Sequence, residues 1–575
     1  MGRFDSSPEF EGEKNLVEDS NTRITAPNDL SDGALDGIKK ARATTIVWSR
    51  SALIFAYALI FLIFFVNSLQ QQITNNLGNY VVSDFATQGL YPITGVVSQL
   101  VAGIIKLPVA RLMDIWGRPL GYVVMLFTAV IGLIIMAACR NVETYAAGQV
   151  FYWVGFDGIA FVLDVFIADT SSLRSRALMF AFSTSPYIAT TFAGPAAAQS
   201  FYQTSGWPWA YGTFAIITPL ISLPFLSVFA WNQRLARKQG IIQDTRAASG
   251  RTVFQSIAHY LIEFDFIGIL LLAAGFAIFL LPFSLAQYQN GTWASSLVIS
   301  MLVVGFVLII IFGLHEKFFA RRPFLPFQYL TDRTVLGACI NAGVLFLSFY
   351  CWDAYFSPFL QVVYGLTISE AGYVSNIYNI GSCFFAIIIG AAIYATGWFK
   401  WTGLVAVPIQ ILGTGLMIYF RQPNQSLGYV IMCQIFISAS GGALVISQQL
   451  AIMAAVGLEN VASALALLGL FNAVGGAVGS SISAAIWTNT FPQALATYLP
   501  ASAQGDIPTI FGSLVVQLEY AMGTPERDGI IEAYGHSQRI MCIAATSVLV
   551  LNFVGVCLWR NINVKNMKPA GTTVI

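Results

Sequence analysis

Charged residues are scarce in this sequence. Lys and Arg number 29, Asp and Glu 28 and His 3 among 575 residues, so only 10% of the chain is charged, compared with about 25% in soluble domains. Hydrophobic residues make up 56%, which indicates a protein that lies in a lipid bilayer. The formal net charge is +1 and no clustered basic face is evident, which excludes nucleic acid as a partner.

Cys and His are also few and scattered. The seven Cys residues occur singly, without the paired spacing of metal sites or the density of a disulfide scaffold. His259, His315 and His536 are widely separated, and there is no His-Glu-x-x-His zinc pattern and no Gly-x-Gly-Asp pattern of a membrane aspartyl protease. We therefore expect no metal site, no cofactor and no enzymatic activity.

Long apolar stretches, by contrast, occupy most of the chain. A membrane-crossing helix needs about 20 mostly apolar residues, and an all-α polytopic membrane protein with fourteen spans is predicted. The first stretch lacks the short core and cleavage site of a signal peptide, so it is read as a true span. The predicted spans are 51–70, 90–110, 120–138, 145–167, 177–200, 209–230, 264–284, 295–314, 335–361, 371–395, 401–420, 428–455, 461–487 and 539–559.

The distribution of Lys and Arg predicts that both termini are cytosolic. Short cytoplasmic loops carry the excess of positive charge, and with this orientation the inner loops hold 14 Lys and Arg and the outer loops 4. The glycosylation acceptors Asn290 and Asn424 both fall in loops assigned outside. We expect a multi-pass protein of the plasma membrane, with an endosomal vesicle membrane as the second possible location.

The break after the sixth span divides the chain into six, two and six helices. The predicted divisions are a disordered cytosolic tail 1–43, an N-terminal half 44–231, a cytosolic linker 232–263, two extra helices with an inner loop 264–333, a C-terminal half 334–559 that includes an outer loop 492–538, and a cytosolic tail 560–575.

A loop motif occurs twice, 280 residues apart. ARLMDIWGRP follows the second span and GAAIYATGWFK follows the tenth, each at the inner end of the second helix of a six-helix set. Such duplication is typical of transporters built from two related halves. In the first copy Gly117 permits a tight turn, while Asp114 and Arg118 can form a latch between inner helix ends. Simple anchoring of Arg118 on the cytosolic side is the alternative.

The first copy resembles the signature between helices two and three of the major facilitator superfamily, Gly-x-x-x-Asp-Arg-x-Gly-Arg-Arg. Three positions depart from that signature, so only Asp114, Gly117 and Arg118 carry over as gating residues. The resemblance implies a major facilitator fold with pseudo-twofold halves. Arg174 and Arg176, at the next inner loop, complete the predicted gate.

Fourteen spans with the extra pair in the middle resemble two groups, the drug:proton antiporters and the fungal siderophore-iron transporters. ADTSSLRSRAL (168–178), FYCWDAYFSPFLQVVYG (349–365) and the long outer segment before the last span resemble the second group, whereas GPAAAQS only half matches the antiporter motif Gly-Pro-x-x-Gly-Gly. The resemblance implies monomeric, proton-coupled uptake of a ferric siderophore of the hydroxamate type, triacetylfusarinine C being favoured. A drug or toxin:proton antiporter is the alternative, and a receptor that senses substrate without moving it is a third reading.

Bulky, often neutral ferric hydroxamates need a roomy cavity lined by aromatic and amide groups. The predicted substrate-binding residues lie in span nine, in span twelve and in the outer segment: Tyr350, Trp352, Asp353, Tyr355, Phe356, Gln434, Gln448, Tyr520, Tyr534 and His536. Aromatic residues in membrane helices also serve as packing or interface belts.

Three acids in span four are the predicted proton-coupling residues. Asp157 and Asp164 lie seven residues apart, so both side chains leave the helix on about the same face. Burial disfavours a charged carboxylate, so such a group can bind and release a proton. Asp169 lies beside Arg174 and Arg176, where an ion pair explains it as well, and Lys106 is expected to extend to the lipid headgroups.

Overall fold

The computed structural model describes residues 48–84, 91–238, 265–286, 292–320, 327–456 and 461–566, together with the single positions 255 and 262. The predicted N-terminal tail, most of the cytosolic linker, Asn290 and the end of the C-terminal tail lie outside these residues. Helices dominate the part that is described, and a bridge between Trp398 and Asn563 is its one extended pairing.

Seven helices make up the N-terminal half and the start of the extra pair. They are α1 Arg50–Asp84, α2 Tyr91–Trp116, α3 Arg118–Ala138, α4 Val142–Thr170, α5 Leu173–Thr184 continued by Pro186–Thr204, α6 Trp207–Lys238 and α7 Phe266–Leu280.

Seven more complete the order. They are α8 Ser296–Leu314, α9 Arg333–Asp353 continued by Phe356–Tyr364, α10 Ile368–Ser375 continued by Ile377–Thr396, α11 Lys400–Phe420, α12 Leu427–Val456, α13 Val461–Tyr498 and α14 Pro525–Val548 continued by Val550–Leu558.

Every predicted span coincides with one of these helices. Within the described ranges, 11 helices are long and apolar enough to cross a membrane, and α7 is a shorter apolar helix. The helices α2 and α5 are not among those 11. Many hydroxyl side chains make α5 less apolar than the other long helices. The all-helical membrane architecture is therefore confirmed, and the count of fourteen spans is consistent with the structure.

Glycines bring helices into close contact within each half. A Cβ at Gly155 would lie 2.5 Å from the Cα of Ala129, so α4 packs directly on α3. In the C-terminal half, Gly475 and Gly479 of α13 face the carbonyl oxygens of Gly343 and Leu347 in α9. Small residues at such crossings let membrane helices approach closely and gain packing contacts.

The outer segment is more helical than the predicted loop 492–538. Helix α13 continues to Tyr498 and α14 begins at Pro525, so the connection is 499–524, and it contains the short helices Gln504–Asp506, Ile507–Gly512 and Leu514–Glu519. The Thr524 side chain accepts from the Arg527 backbone N–H and Pro525 occupies the first turn, both of which are helix-start signals. This start adds about four turns outside the most apolar part of α14.

Candidate functional site between the two halves

The middle of α4 presents one accessible stripe. Trp153, Asp157, Ala160 and Asp164 are partly accessible, whereas the residues between them are buried. Their spacing of four, three and four residues follows a single helix face. The structure thus confirms that Asp157 and Asp164 share a face, about 10.5 Å apart along the axis at 1.5 Å per residue.

Lys106 of α2 faces these two acids. Its Nζ lies 3.7 Å from an Asp157 carboxylate oxygen, and it also acts electrostatically on Asp164. The aliphatic part of Lys106 reaches the C-terminal half, because a Cβ at Gly469 in α13 would lie 2.8 Å from its Cδ. The prediction that Lys106 extends to the headgroups is therefore wrong. Charged side chains within membrane helices usually face the interior of the bundle, where they pair with an opposite charge.

Asp164 differs from Asp157 in its partners. Within the described ranges it forms no hydrogen bond and no ion pair within 4.0 Å, although Lys106 is close enough to act on it. The pair of acids therefore consists of one ion-paired and one unpaired carboxyl on the same accessible stripe. A single cation that faces two carboxyl groups leaves one of them free to take up a proton.

One tyrosine from each half lies near this stripe. Tyr187 of α5 donates a hydrogen bond to Gln71 of α1 at 2.7 Å and lies within electrostatic reach of both acids. From the C-terminal half, Tyr350 of α9 lies within electrostatic reach of Asp157. Tyr350 is a predicted substrate-binding residue, and the structure brings it to the predicted proton-coupling residues. Tyr187 was not among the predicted residues, although its neighbour in the fold, Gln71, lies in the polar run NSLQQQ.

Arg118 is the centre of a cluster of ion pairs that includes two of the predicted gating residues, Asp114 and Arg118 itself. Its Nη1 donates to Asp114 at 3.0 Å, and its Nε donates to Asp169 at 2.9 Å. Gly117 has φ +103°, a conformation that favours glycine, and so permits the turn between α2 and α3. Asp169 pairs with Arg118 rather than with Arg174 or Arg176, because the turn before α3 brings the Arg118 guanidinium to the C-terminal end of α4.

The other two predicted gating residues join elements differently. Arg174 contacts Tyr394 of α10, so it links the N-terminal to the C-terminal half. Arg176 is buried and donates to the carbonyl oxygens of Ala168 and Ser171 at the end of α4, at 2.5 and 3.0 Å. It thereby satisfies carbonyls that a helix end leaves without partners.

The other predicted substrate-binding residues of α9 divide into a buried group and a partly accessible group. Trp352 and Phe356 are fully buried inside the C-terminal half, where their rings lie against the guanidinium of Arg421. They therefore contribute to packing rather than to an open cavity surface. Asp353 and Tyr355 remain partly accessible, and the Tyr355 ring stacks on Trp487 with centroids 4.3 Å apart.

Arg421 was not among the predicted site residues, because its position at the end of a span placed it in an outer loop. Arg421 does follow the last residue of α11, but its side chain is buried, with 0% of its surface exposed. The aromatic residues spaced along span nine were the one sequence signal of its surroundings, since a buried guanidinium requires aromatic or acidic neighbours.

The two predicted amides are buried as well. Gln434 donates to the carbonyl oxygen of Val374 in α10 at 2.9 Å, and Gln448 accepts from Asn341 of α9 at 2.6 Å. Gln434 Oε1 and Gln448 Nε2 have no hydrogen-bond partner in the part of the chain that the structure describes. Both amides connect helices of the C-terminal half.

The predicted outer residues lie on or beside α14. The Tyr534 hydroxyl is buried and donates to Gln517 at 2.7 Å, so this tyrosine belongs to the interior of the C-terminal half. His536 is exposed on the surface of α14. Tyr520 is partly accessible in the connection 499–524, where burial and nearby carboxylates, including Asp506, raise the pKa of its phenol. Asn424 is exposed in the turn between α11 and α12.

A cavity of about 450 Å³ opens where the C-terminal parts of α1 and α5 meet the start of α10. No charged side chain lines it among the described residues. Its lining residues are Asn76, Leu77, Pro195, Ala198, Gln199, Tyr202, Gln203, Thr367 and Ser369.

Known proteins resemble this chain over almost its whole length. Residues 60–480 match the Major Facilitator Superfamily. The chain is 50% identical to MFS siderochrome iron transporter 1 of Ajellomyces capsulatus, over 96% of this chain and 94% of that protein. It is 46% identical to MFS siderochrome iron transporter D of Aspergillus fumigatus, over 94% and 90%. It is 43% identical to Siderophore iron transporter mirB of Emericella nidulans, over 98% and 94%.

These matches confirm the fold and the family that the repeated loop and the segments of span nine indicated. All three relatives are named as transporters, which points to a transporter without enzymatic activity. The chain belongs to the major facilitator superfamily and, within it, to the fungal siderochrome iron transporters.

Proposed function

We propose that this protein imports ferric siderophores of the hydroxamate type by alternating access of its two halves, driven by protons. The names of relatives that are 43–50% identical over nearly the whole chain support a siderophore-iron cargo. Iron enters only as the siderophore complex, and the protein itself needs no cofactor. The transporter works as a monomer in the plasma membrane with both termini in the cytosol.

The observation that carries the coupling proposal is the stripe of α4, where one cation faces two acids at the boundary between the halves. Lys106 balances the charge of one carboxylate, Asp157, and protonation of Asp164 removes the second, unbalanced negative charge. After protonation the site contains one carboxylate and one cation, so its net charge is zero. A neutral site can be enclosed in the low-dielectric closed state at a lower free-energy cost than a charged site. A membrane potential of 100 mV supplies about 2.3 kcal/mol per proton.

The cargo proposal follows from the uncharged polar groups that the halves present. The cavity at the outer side is lined by amides, hydroxyls and apolar groups, which suits a neutral ligand rich in carbonyl groups. Pockets for small molecules typically hold about 300–1,000 Å³, so a cavity of this size accepts one lobe of a ferric trihydroxamate. Triacetylfusarinine C is the first ligand to test.

Uptake of ⁵⁵Fe-labelled siderophores tests the proposal in iron-starved cells that lack their own siderophore transporters. Cells with this chain should accumulate label, and Asp164→Asn should reach the membrane but lose the increase in uptake that acidic medium produces. The matched control is Asp528→Asn, an exposed acid at the start of α14.

Two results would contradict this assignment. Net efflux of a toxic compound without accumulation of label would favour the drug:proton antiporter. Accumulation with unchanged pH dependence in both Asp157→Asn and Asp164→Asn would remove these acids from proton coupling while leaving the cargo intact.

A further inference from the structure

Arg421 carries a fully buried charge in the C-terminal half. It follows the last residue of α11, and its exposed fraction is 0%. Nη1 donates to the carbonyl oxygen of Trp352 at 2.7 Å. The guanidinium carbon lies 4.3 Å from the Phe356 ring centroid and 5.2 Å from that of Phe359. This aromatic surrounding stabilises a cation, but a buried charge also requires a counter-charge.

One edge of the guanidinium has no oxygen acceptor among the described residues. In the described ranges, Nε and Nη2 of Arg421 make no geometrically acceptable hydrogen bond, although the Cys542 thiol is a neighbouring polar group. These two nitrogens form the side of the guanidinium that binds a carboxylate through two parallel hydrogen bonds. Buried donors without acceptors are rare, and each has a cost comparable to a lost hydrogen bond.

Asp353 is an acidic residue within electrostatic reach of the Arg421 side chain. It directly follows Trp352, whose carbonyl Arg421 already binds, and it is the last residue before the interruption of α9 at Ala354 and Tyr355. Within the described ranges it makes no hydrogen bond or ion pair of its own. It is partly accessible and lies within electrostatic reach of the hydroxyl groups of Tyr350 and Tyr378.

We propose that Arg421 is an internal counter-ion for Asp353. In one state of the cycle the Asp353 carboxylate closes on the Nε and Nη2 edge, and in the other it lies apart from that edge, as in this structure. The interruption of α9 supplies the backbone freedom for that change. Arg421 is therefore a positioning residue that decides when Asp353 is available to the cargo or its proton. The functional readout of this proposal rests on the proposed siderophore uptake.

A double-mutant cycle tests the proposed Asp353–Arg421 pair. Asp353→Asn, Arg421→Gln and the double variant are compared by Vmax and KM of ⁵⁵Fe-siderophore uptake, normalised to protein at the cell surface. Each single variant should lower Vmax about tenfold with KM within about twofold, and the double variant should recover most of the loss, because residues that interact directly are not additive. Each single change leaves one charge without its partner, whereas the double change leaves none.

Arg527→Gln is the matched control. Arg527 is also buried, at 2% exposure, but donates to backbone carbonyls, including those of Val362 and Tyr520. The factor by which Arg527→Gln lowers Vmax should multiply with the factor by which Asp353→Asn lowers it. The proposal would be overturned if the Asp353→Asn, Arg421→Gln double variant lost as much Vmax, relative to its single variants, as the Asp353→Asn, Arg527→Gln double variant.

Two further measurements keep the test decisive. If Arg421→Gln does not reach the membrane, Arg421→Lys replaces it, since Lys keeps the charge but lacks the two-nitrogen edge. Adding Asp353→Asn should then cause a further loss smaller than the product of the two single effects, and a fully multiplicative loss would overturn the pair. If the unaltered protein takes up no siderophore, the proposed function fails, while the same cycle remains measurable in the thermal unfolding midpoints of the purified proteins. If the changes in unfolding midpoint of the two single variants add up to that of the double variant, the proposed pair is overturned.

Discussion

Arg174 of α5 donates a hydrogen bond from Nε to the carbonyl oxygen of Tyr394 at 3.0 Å, and its guanidinium carbon lies 4.4 Å from the centroid of the same tyrosine ring. Tyr394 occupies the position in the second copy of the repeated loop that Asp114 occupies in the first. The first copy therefore forms an ion pair within one half, and the second joins the two halves. Gly390 allows this approach, since a Cβ there would lie 3.1 Å from the Ala177 carbonyl oxygen.

In the Arg174→Ala variant, the state that is open on the predicted cytosolic side should be more populated than in the parent. The variant loses one hydrogen bond from a charged group and one cation–π contact, together about 2 kcal/mol. The measurement is the rate at which a Cys introduced at Ala177, which is buried, reacts with a maleimide from the cytosolic side, after the exposed Cys557 is replaced by Ser. Tyr394→Phe is the control, because it keeps both the ring and the carbonyl. Equal labelling of the Arg174 variant and its parent would show that this contact does not hold the side closed.

Asp169→Asn should lower stability without changing proton coupling. The variant weakens the 2.9 Å bond from Arg118 Nε, a loss of about 2 kcal/mol for a bond between charged groups. We expect a lower unfolding midpoint in purified protein and an unchanged dependence of uptake on outside pH. A lost pH dependence would instead place Asp169 among the proton-coupling residues.

Lys106→Met should reduce uptake at least about tenfold, the equivalent of roughly 1.4 kcal/mol. The variant leaves the Asp157 carboxylate without the cation that lies 3.7 Å away, so the two acids repel each other when both are ionised. Lys106→Arg keeps the charge and serves as the control in the same uptake assay. Parental uptake by the Met variant would mean that the ion pair has no part in transport.

Arg527→Met should loosen the connection 499–524. The buried guanidinium binds carbonyls of Gln517 and Tyr520 in the connection and of Val362 in α9, and the loss leaves those acceptors without partners. Proteolysis from the outside should then cut the connection faster than in the parent. Arg539→Met, which removes an exposed Arg from the same helix, should leave the rate unchanged. Similar cleavage of both variants would refute this anchoring role.

Asn424→Gln should remove one glycan when the protein is made in a eukaryotic host. Asn424 is exposed in the turn after α11, and a side chain there is open to modification if the turn lies outside the cell. Gel mobility before and after enzymatic deglycosylation measures the effect, with Asn290→Gln tested alongside. A parent protein whose mobility does not change on deglycosylation would contradict the predicted orientation of these loops.

The sequence by itself determined the helices and the faces of their side chains. The shared face of Asp157 and Asp164 follows from the helical repeat alone, and the turn at Gly117 follows from a residue that tolerates positive φ. These properties depend on neighbours within a few residues. The helix start at Thr524 was also readable, but the hydropathy of the last span obscured it.

Only the tertiary structure decided which charges meet. Lys106 contacts Asp157, Asp169 contacts Arg118, and Arg421 lies among the aromatic rings of α9. The partners are separated by about 50 or more residues, so each pairing depends on how helices cross and rotate against one another. A helical repeat gives the direction of a side chain from its own axis, whereas the group it meets is set by the packing of the neighbouring helix.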